Sequence, residues 1–195
     1  MYHAKSAPLI KMPYLILASH SPRRKEILEI AGIPFRVRVN PVEEVRRPDE
    51  SPLNYVKRLA REKANAAWQR PGELVLGADT VVVQDDRVLE KPRDQDDARA
   101  MLTLLSGREH SVMTGICFRH TSGNIVDHAE TRVKFSVLSQ SEIDDYVASN
   151  EPMDKAGAYA IQGLASKFVE SIDGCYFNVM GLPISLVYRQ WKAIV

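Results

Sequence analysis

Residues 14–24 read Tyr14-Leu-Ile-Leu-Ala-Ser-His-Ser-Pro-Arg-Arg24, and this stretch decides the class of fold. Tyr14 to Ala18 is an apolar run of strand length. The polar turn after it holds Ser21, whose hydroxyl suits a helix cap, and Pro22, whose fixed φ suits the first helical position. Ile27, Leu28 and Ala31 then supply an apolar face before Gly32 stops the helix. A buried strand, a tight loop and a helix in succession mark an α/β unit.

Outward from this unit the same signals recur. Phe35 to Val39 alternates apolar residues with Arg and predicts a second strand, and the polar loop Asn40 to Glu50 holds Glu43 and Glu44. Ser51-Pro52 opens a helix to Trp68, with Leu53, Val56, Leu59, Ala60, Ala64 and Ala67 on its buried stripe and Lys57, Arg61 and Lys63 off it. Leu74 to Val83 is β-like and contains Gly77-Ala-Asp-Thr80, and Asp85-Asp86 turns the chain into Arg87 to Leu89. Asp94 caps a helix with Ala98, Met101, Leu102 and Leu105 inward and Gly107 at its end.

Glu109 to His120 and Ile125 to Ser136 flank Thr121-Ser-Gly-Asn124 as a hairpin, which adds antiparallel pairing. Ser139 and Glu142 form a capping box for a helix through Ser149, a loop carries Asp154-Lys-Ala-Gly157, and Pro183 opens the last helix. The expectation is a loose extension over residues 1–13 and a single α/β domain over residues 14–195. Its mixed sheet is flanked by helices, in two lobes around a cleft.

Composition narrows the function. The 195 residues, 45% hydrophobic and 26% charged, suffice to bury a core and exclude a disordered chain. With 26 Lys and Arg against 25 Asp and Glu, the net charge of +1 creates no field that would draw nucleic acid or an anionic membrane, so any anion site is local. Cys117 and Cys175 are too far apart for a CxxC motif and read as buried thiols. The five histidines lack ligand spacing, which turns a catalytic metal towards carboxylates. No apolar run approaches the roughly 20 residues of a membrane span, and Met1 to Pro13 is too weakly apolar for a secretory signal, so the expected location is the cytoplasm.

Several residues carry chemistry. Ser19, Ser21, Arg23 and Arg24 at a helix start offer hydroxyls, free N–H groups and guanidinium forks to a phosphate, with a plain cap and a solvated first turn as the competing reading. Asp79 interrupts an apolar strand, a costly place for a carboxylate unless it is paired, coordinated or exposed in a cleft; it reads as general base or metal ligand, or as an Asp at a bend permitted by Gly77. Glu43 and Glu44 are a second carboxylate source, or simply solvated. Two carboxylates with a triphosphate would suit Mg²⁺ or Mn²⁺ better than zinc. Lys63 and Lys91 are placed to neutralise phosphate or are ordinary surface lysines, and Gln162 presents an amide that matches the O4 acceptor and N3–H donor of uracil or thymine, or merely sits in a turn. His20 reads as a bystander. There is no GxxxxGK[ST] loop, GxGxxG fingerprint or GxSxG elbow, which disfavours P-loop NTPases, Rossmann dehydrogenases and α/β-hydrolases.

Assembled, the chain resembles the Maf family of nucleoside triphosphate pyrophosphatases through Leu17-Ala-Ser-His-Ser-Pro-Arg-Arg24, Gly77-Ala-Asp-Thr-Val-Val82, Glu90-Lys-Pro92, Leu105-Ser-Gly107, Ala156-Gly-Ala-Tyr-Ala-Ile-Gln-Gly163 and Val179-Met-Gly-Leu-Pro183. His20 and Ala160 depart from it, standing where small or glycine residues are common. The resemblance implies a fold shared with inosine triphosphate pyrophosphatases and a cytoplasmic, often dimeric enzyme. It implies metal-dependent cleavage between the α and β phosphates of a nucleotide. It makes Asp79 the proton acceptor, gives the phosphates to Ser21, Arg24, Lys63 and Lys91, and gives the metal to Glu44 with Asp79. Arg23, Thr80 and Gln162 match the branch acting on dTTP and UTP, whereas the branch resembling 7-methyl-GTP pyrophosphatases has Trp, Gln and Glu there. A competing class implied by the same family is a nucleotide-binding regulator of septum formation with little turnover.

Overall fold

In the computed structural model, which describes residues 14–194, the first unit forms as its sequence dictates. The expected extension, residues 1–13, lies outside the described residues. Strand β1 (Leu15–Leu17) is fully buried, and the Ser21 hydroxyl accepts from the Arg24 N–H to cap α1 (Pro22–Ile30). Gly32, at φ +65°, closes the helix by donating to the Glu29 carbonyl. Ala31, expected on the buried face, is exposed, because as the cap residue it lies past the last turn that packs.

The remaining elements are β2 (Phe35–Val37), α2 (Pro52–Ala67), β3 (Leu74–Gln84), β4 (Arg87–Leu89), α3 (Gln95–Leu105), β5 (Glu109–His120), β6 (Gly123–Phe135), α4 (Gln140–Ala148), β7 (Val169–Asp173), α5 (Tyr176–Val179) and α6 (Ile184–Ile194). They build one sheet in the order β2-β1-β3-β5-β6-β7, with β4 beside β3. The pairs of β1 with β2 and β3 are parallel and the others antiparallel, which is the mixed sheet expected.

Some boundaries differ from expectation. The second strand stops at Val37, because Val39 and Asn40 leave the sheet to line a cleft. The hairpin is tighter than four residues: His120 pairs with Gly123, leaving only Thr121-Ser122 in the turn. Strand β7, helix α5 and three short 3-10 turns between Glu151 and Phe168 carry too little periodicity to be read beforehand. Cys117 is buried and burial pushes its thiol up to about 12, but Cys175 is only half-buried.

Four apolar clusters pack on the sheet among the described residues: two smaller ones lie under α2, and two larger cores divide the opposite face. One gathers β1, α1, α6, the first half of β3 and the end of β5; the other gathers α3, α4, β4, the start of β5 and the end of β6. Ala78 belongs to the first core and Val82 to the second, so β3 passes between them at Asp79 and Thr80. Helix α2 crosses the same strands. A Cβ at Gly77 would lie 2.1 Å from the Ala60 carbonyl oxygen, and one at Gly115 2.4 Å from that of Val56. Gly77 therefore admits the helix backbone rather than permitting a bend.

Candidate active site

A cleft of about 620 Å³ opens where β3 changes core. Its walls are the start of α1, the loop after β2, the face of α2 that carries Tyr55 and Lys63, residues 79–82, the Glu90-Lys91 corner, residues 154–162 and residues 179–181. The residues to which the family resemblance gives a role all line it: Ser21, Arg23, Arg24, Glu44, Lys63, Asp79, Thr80, Lys91 and Gln162. Glu43 does not; it faces a shallow groove on the outer side of the same loop.

Arg24 anchors the phosphate-loop wall. Its Nε donates to the Gly181 carbonyl (2.8 Å), Nη1 to Ser19 Oγ (3.1 Å) and the Ala78 carbonyl (2.9 Å), and Nη2 to Thr80 Oγ1 (3.0 Å). A guanidinium has five N–H groups, so one is left for a ligand. Thr80 Oγ1 also lies 2.9 Å from Thr114 Oγ1, its register partner on β5. Arg23 is less engaged, with Nη1 4.0 Å from Asp154 Oδ2 across the cleft.

Asp79 stands on the floor and is 7% exposed. Lys63 Nζ donates to its Oδ1 at 2.7 Å and lies 2.9 Å from Glu44 Oε2, so one ammonium holds two carboxylates. Tyr55, Leu59 and Lys63 are spaced four apart and form one row along α2. Burial raises the Asp79 carboxyl above the ordinary carboxylate range, against the opposing pull of Lys63 and Arg24. Among the described residues no group of three or more His, Cys, Asp or Glu could hold a metal alone. Glu44 and Asp79 nevertheless suit Mg²⁺ or Mn²⁺, which such sites take through one or two carboxylates completed by substrate phosphates.

Lys91 and Gln162 are exposed where they line the cleft, and the Gly157 N–H donates to the Glu90 carbonyl (3.1 Å), joining the corner before Lys91 to the segment that leads to Gln162. Gln162 ends a segment held from below by Tyr159, whose hydroxyl lies 2.8 Å from Nε2 of buried His110. Burial brings that imidazole down to about 4, so it is neutral at physiological pH.

Sequence reasoning missed several supports. Tyr55, absent from the stripe expected of α2, is buried, and its hydroxyl lies 3.0 Å from the Glu44 carbonyl and 2.8 Å from Glu90 Oε1. Arg58 is buried and grips Glu50 through Nε (2.7 Å) and Nη2 (2.8 Å) while also donating to the Val45 carbonyl (2.9 Å). The spacing of Tyr55 to Lys63 was the available signal for the first; the second had none.

Comparison with solved structures gives the class. The chain resembles a HAM1 protein from Coxiella burnetii with a TM-score of 0.52 at 14% identity, covering 94% of this chain and 98% of that one. The Ham1 protein of Staphylococcus aureus gives 0.51 at 12%, covering 93% and 100%. The molecule thus has the expected α/β fold, that of the Ham1 proteins.

Within that class the family is specific. Residues 14–194 match the family described as Maf-like protein, and the chain belongs to it. It is 51% identical to the dTTP/UTP pyrophosphatase of Koribacter versatilis (strain Ellin345), covering 91% of this chain and 93% of that protein. It is 47% identical to the dTTP/UTP pyrophosphatase of Geobacillus sp. (strain WCH70), covering 94% and 99%.

Proposed function

We propose that the protein hydrolyses dTTP and UTP to the monophosphate and pyrophosphate. The observation that carries this reading is the junction of Lys63, Asp79 and Glu44 at the floor of a cleft walled by Ser21, Arg23, Arg24 and Lys91. It is supported by the identity with dTTP/UTP pyrophosphatases over more than nine-tenths of the chain.

In this mechanism Asp79 takes the proton of the water that attacks the α–β phosphoanhydride, and its raised affinity for protons suits a general base. Ser21 and the α1 N-terminus, Lys91 and the remaining Arg24 N–H bind the phosphates, and Lys63 turns from the carboxylates to the charge developing on pyrophosphate. Glu44 and Asp79 would hold Mg²⁺ or Mn²⁺, which when bound supplies Lewis-acid stabilisation of phosphoryl oxygens. Gln162 donates to O4 and accepts from N3–H of the base, a pairing that a carboxylate there would lose. Arg23 and Thr80 complete the selection of pyrimidine. The reading extends to a single domain from residue 14 onward, working as a homodimer in the cytoplasm, where house-cleaning of nucleotides takes place. Among the described residues no helix is long and apolar enough to cross a membrane.

Pyrophosphate release from dTTP, UTP, CTP, GTP, ATP and 7-methyl-GTP with Mg²⁺ or Mn²⁺ tests it. Turnover of dTTP and UTP above the rest is expected. Preference for 7-methyl-GTP would overturn the base assignment, and nucleotide binding without release would make the protein a regulator.

A further inference from the structure

Glu44 lies on a loop whose neighbouring side chains are almost all exposed, yet its carboxylate meets the Lys63 ammonium at the cleft floor. Something must hold it there. Tyr55 is 2% exposed and its ring packs with Val56, Leu59, Val81 and Val83, so the phenol is fixed by the core. Its hydroxyl lies within hydrogen-bond distance of two groups at once, the Glu44 backbone carbonyl and the Glu90 carboxylate, each from a separate wall of the cleft.

We infer that Tyr55 is a positioning residue for the divalent ion: its hydroxyl ties the backbone of Glu44 and the side chain of Glu90 to the rigid helix that also carries Lys63, and so sets where the second carboxylate stands. This rests on the reading of Glu44 and Asp79 as the ion's ligands. A phenol has one proton, so the two acceptors share it in a three-centre bond. The negative Glu90 is the stronger acceptor, and the carbonyl of Glu44 is the one whose loss frees the loop. A rigid tie of this kind bears on ion affinity more than on turnover, because a saturating ion can still draw Glu44 inward. Partners that orient metal ligands are worth about 10- to 100-fold in affinity.

The test uses Tyr55→Phe, which keeps the ring in the core and removes only the oxygen. Mn²⁺ binding is followed by loss of the free-ion electron paramagnetic resonance signal, alone and with a non-hydrolysable dTTP analogue, and the rate of dTTP hydrolysis is titrated with Mn²⁺. The expected result is Mn²⁺ affinity lower by about 10-fold, a matching rise in the Mn²⁺ needed for half-maximal rate, and kcat at saturating Mn²⁺ within about 2-fold of the parent. In a Glu44→Gln background the same change should have no further effect on Mn²⁺ affinity, since the tie acts through Glu44.

Unaltered Mn²⁺ binding in Tyr55→Phe, or a fall in kcat with affinity intact, overturns the inference alone. Absence of Mn²⁺ binding by the parent protein overturns the ligand reading and the inference with it. If Tyr55→Phe does not fold, Glu90→Gln serves: it leaves an acceptor for the hydroxyl while shifting the proton towards the Glu44 carbonyl. Mn²⁺ affinity should then stay within about 2-fold of the parent; a 10-fold loss would make Glu90 itself a ligand and overturn the assignment to Tyr55.

Discussion

Helix α2 carries two cation–carboxylate clusters five residues apart, and they behave in opposite ways. At Arg58 a guanidinium fork clasps Glu50 with two hydrogen bonds, adds Glu62 through Nη1 at 3.0 Å and reaches a carbonyl, and it holds the Glu50 carboxyl down at about 2. At Lys63 a point charge on a flexible stem touches Asp79 and Glu44 once each, and the buried Asp79 carboxyl is raised rather than lowered. Equal counts of charge thus build a closed strut and an open junction. What separates them is the fork, which fixes geometry, and burial without full pairing, which leaves a carboxylate ready to accept a proton.

The sharpest way to break this contrast is Asp79→Asn. Loss of a general base should lower kcat by about 10² to 10⁴-fold with nucleotide binding retained, measured by pyrophosphate release and by calorimetric titration with dTTP. Full activity would remove Asp79 from the reaction and make both clusters structural. Next in size is Arg58→Ala, which leaves Glu50 without its partner and should reduce unfolding free energy by about 3 kcal/mol in urea titration. Its effect on rate should be the smaller one. A variant as stable as the parent would show that the fork is not a strut.

Lys63→Met sharpens the junction itself. The ammonium pulls the Asp79 carboxyl down, so its removal should move the acid limb of kcat/KM upward, on top of a lower rate. An unmoved limb would mean that the limb does not report Asp79. Smallest is the acid response of the strut: Glu50 and Glu73, the latter clasped by Arg38, both titrate at about 2 instead of their ordinary 4.5. Lowered carboxyl groups stabilise the fold above their ordinary range and cease to do so as pH falls through the lowered values. The difference in unfolding free energy between the parent and Glu50→Gln should therefore be level above pH 4.5 and shrink between there and pH 2.

The sequence predicts much of this, and the parts it conceals have a physical reason. Ser21-Pro22 and the Ser139–Glu142 capping box announce their helices because capping is a local event. Asp79 is legible because a carboxylate inside an apolar strand contradicts its surroundings. Arg24 is not, beyond its charge: its carbonyl acceptors at Ala78 and Gly181 lie 54 and 157 residues away. Tyr55 is hidden in another way, since its ring obeys the apolar pattern of α2 and only one atom of it belongs to the site. The turns between Glu151 and Phe168 show no period, so the approach of Gln162 to the cleft depends on the buried contact of Tyr159 with His110.

The passage of β3 and β5 from one core into the other has a mechanical consequence. The floor of the cleft is unbroken ladder, with Asp79 opposite Gly115 and Thr80 opposite Thr114, so its two halves are welded along their length and possess no joint about which to swing. In the proposed reaction, gripping a nucleotide would therefore fall to the loops, to the strap bearing Glu44 and the segment bearing Gln162, over a plate that has no hinge of its own.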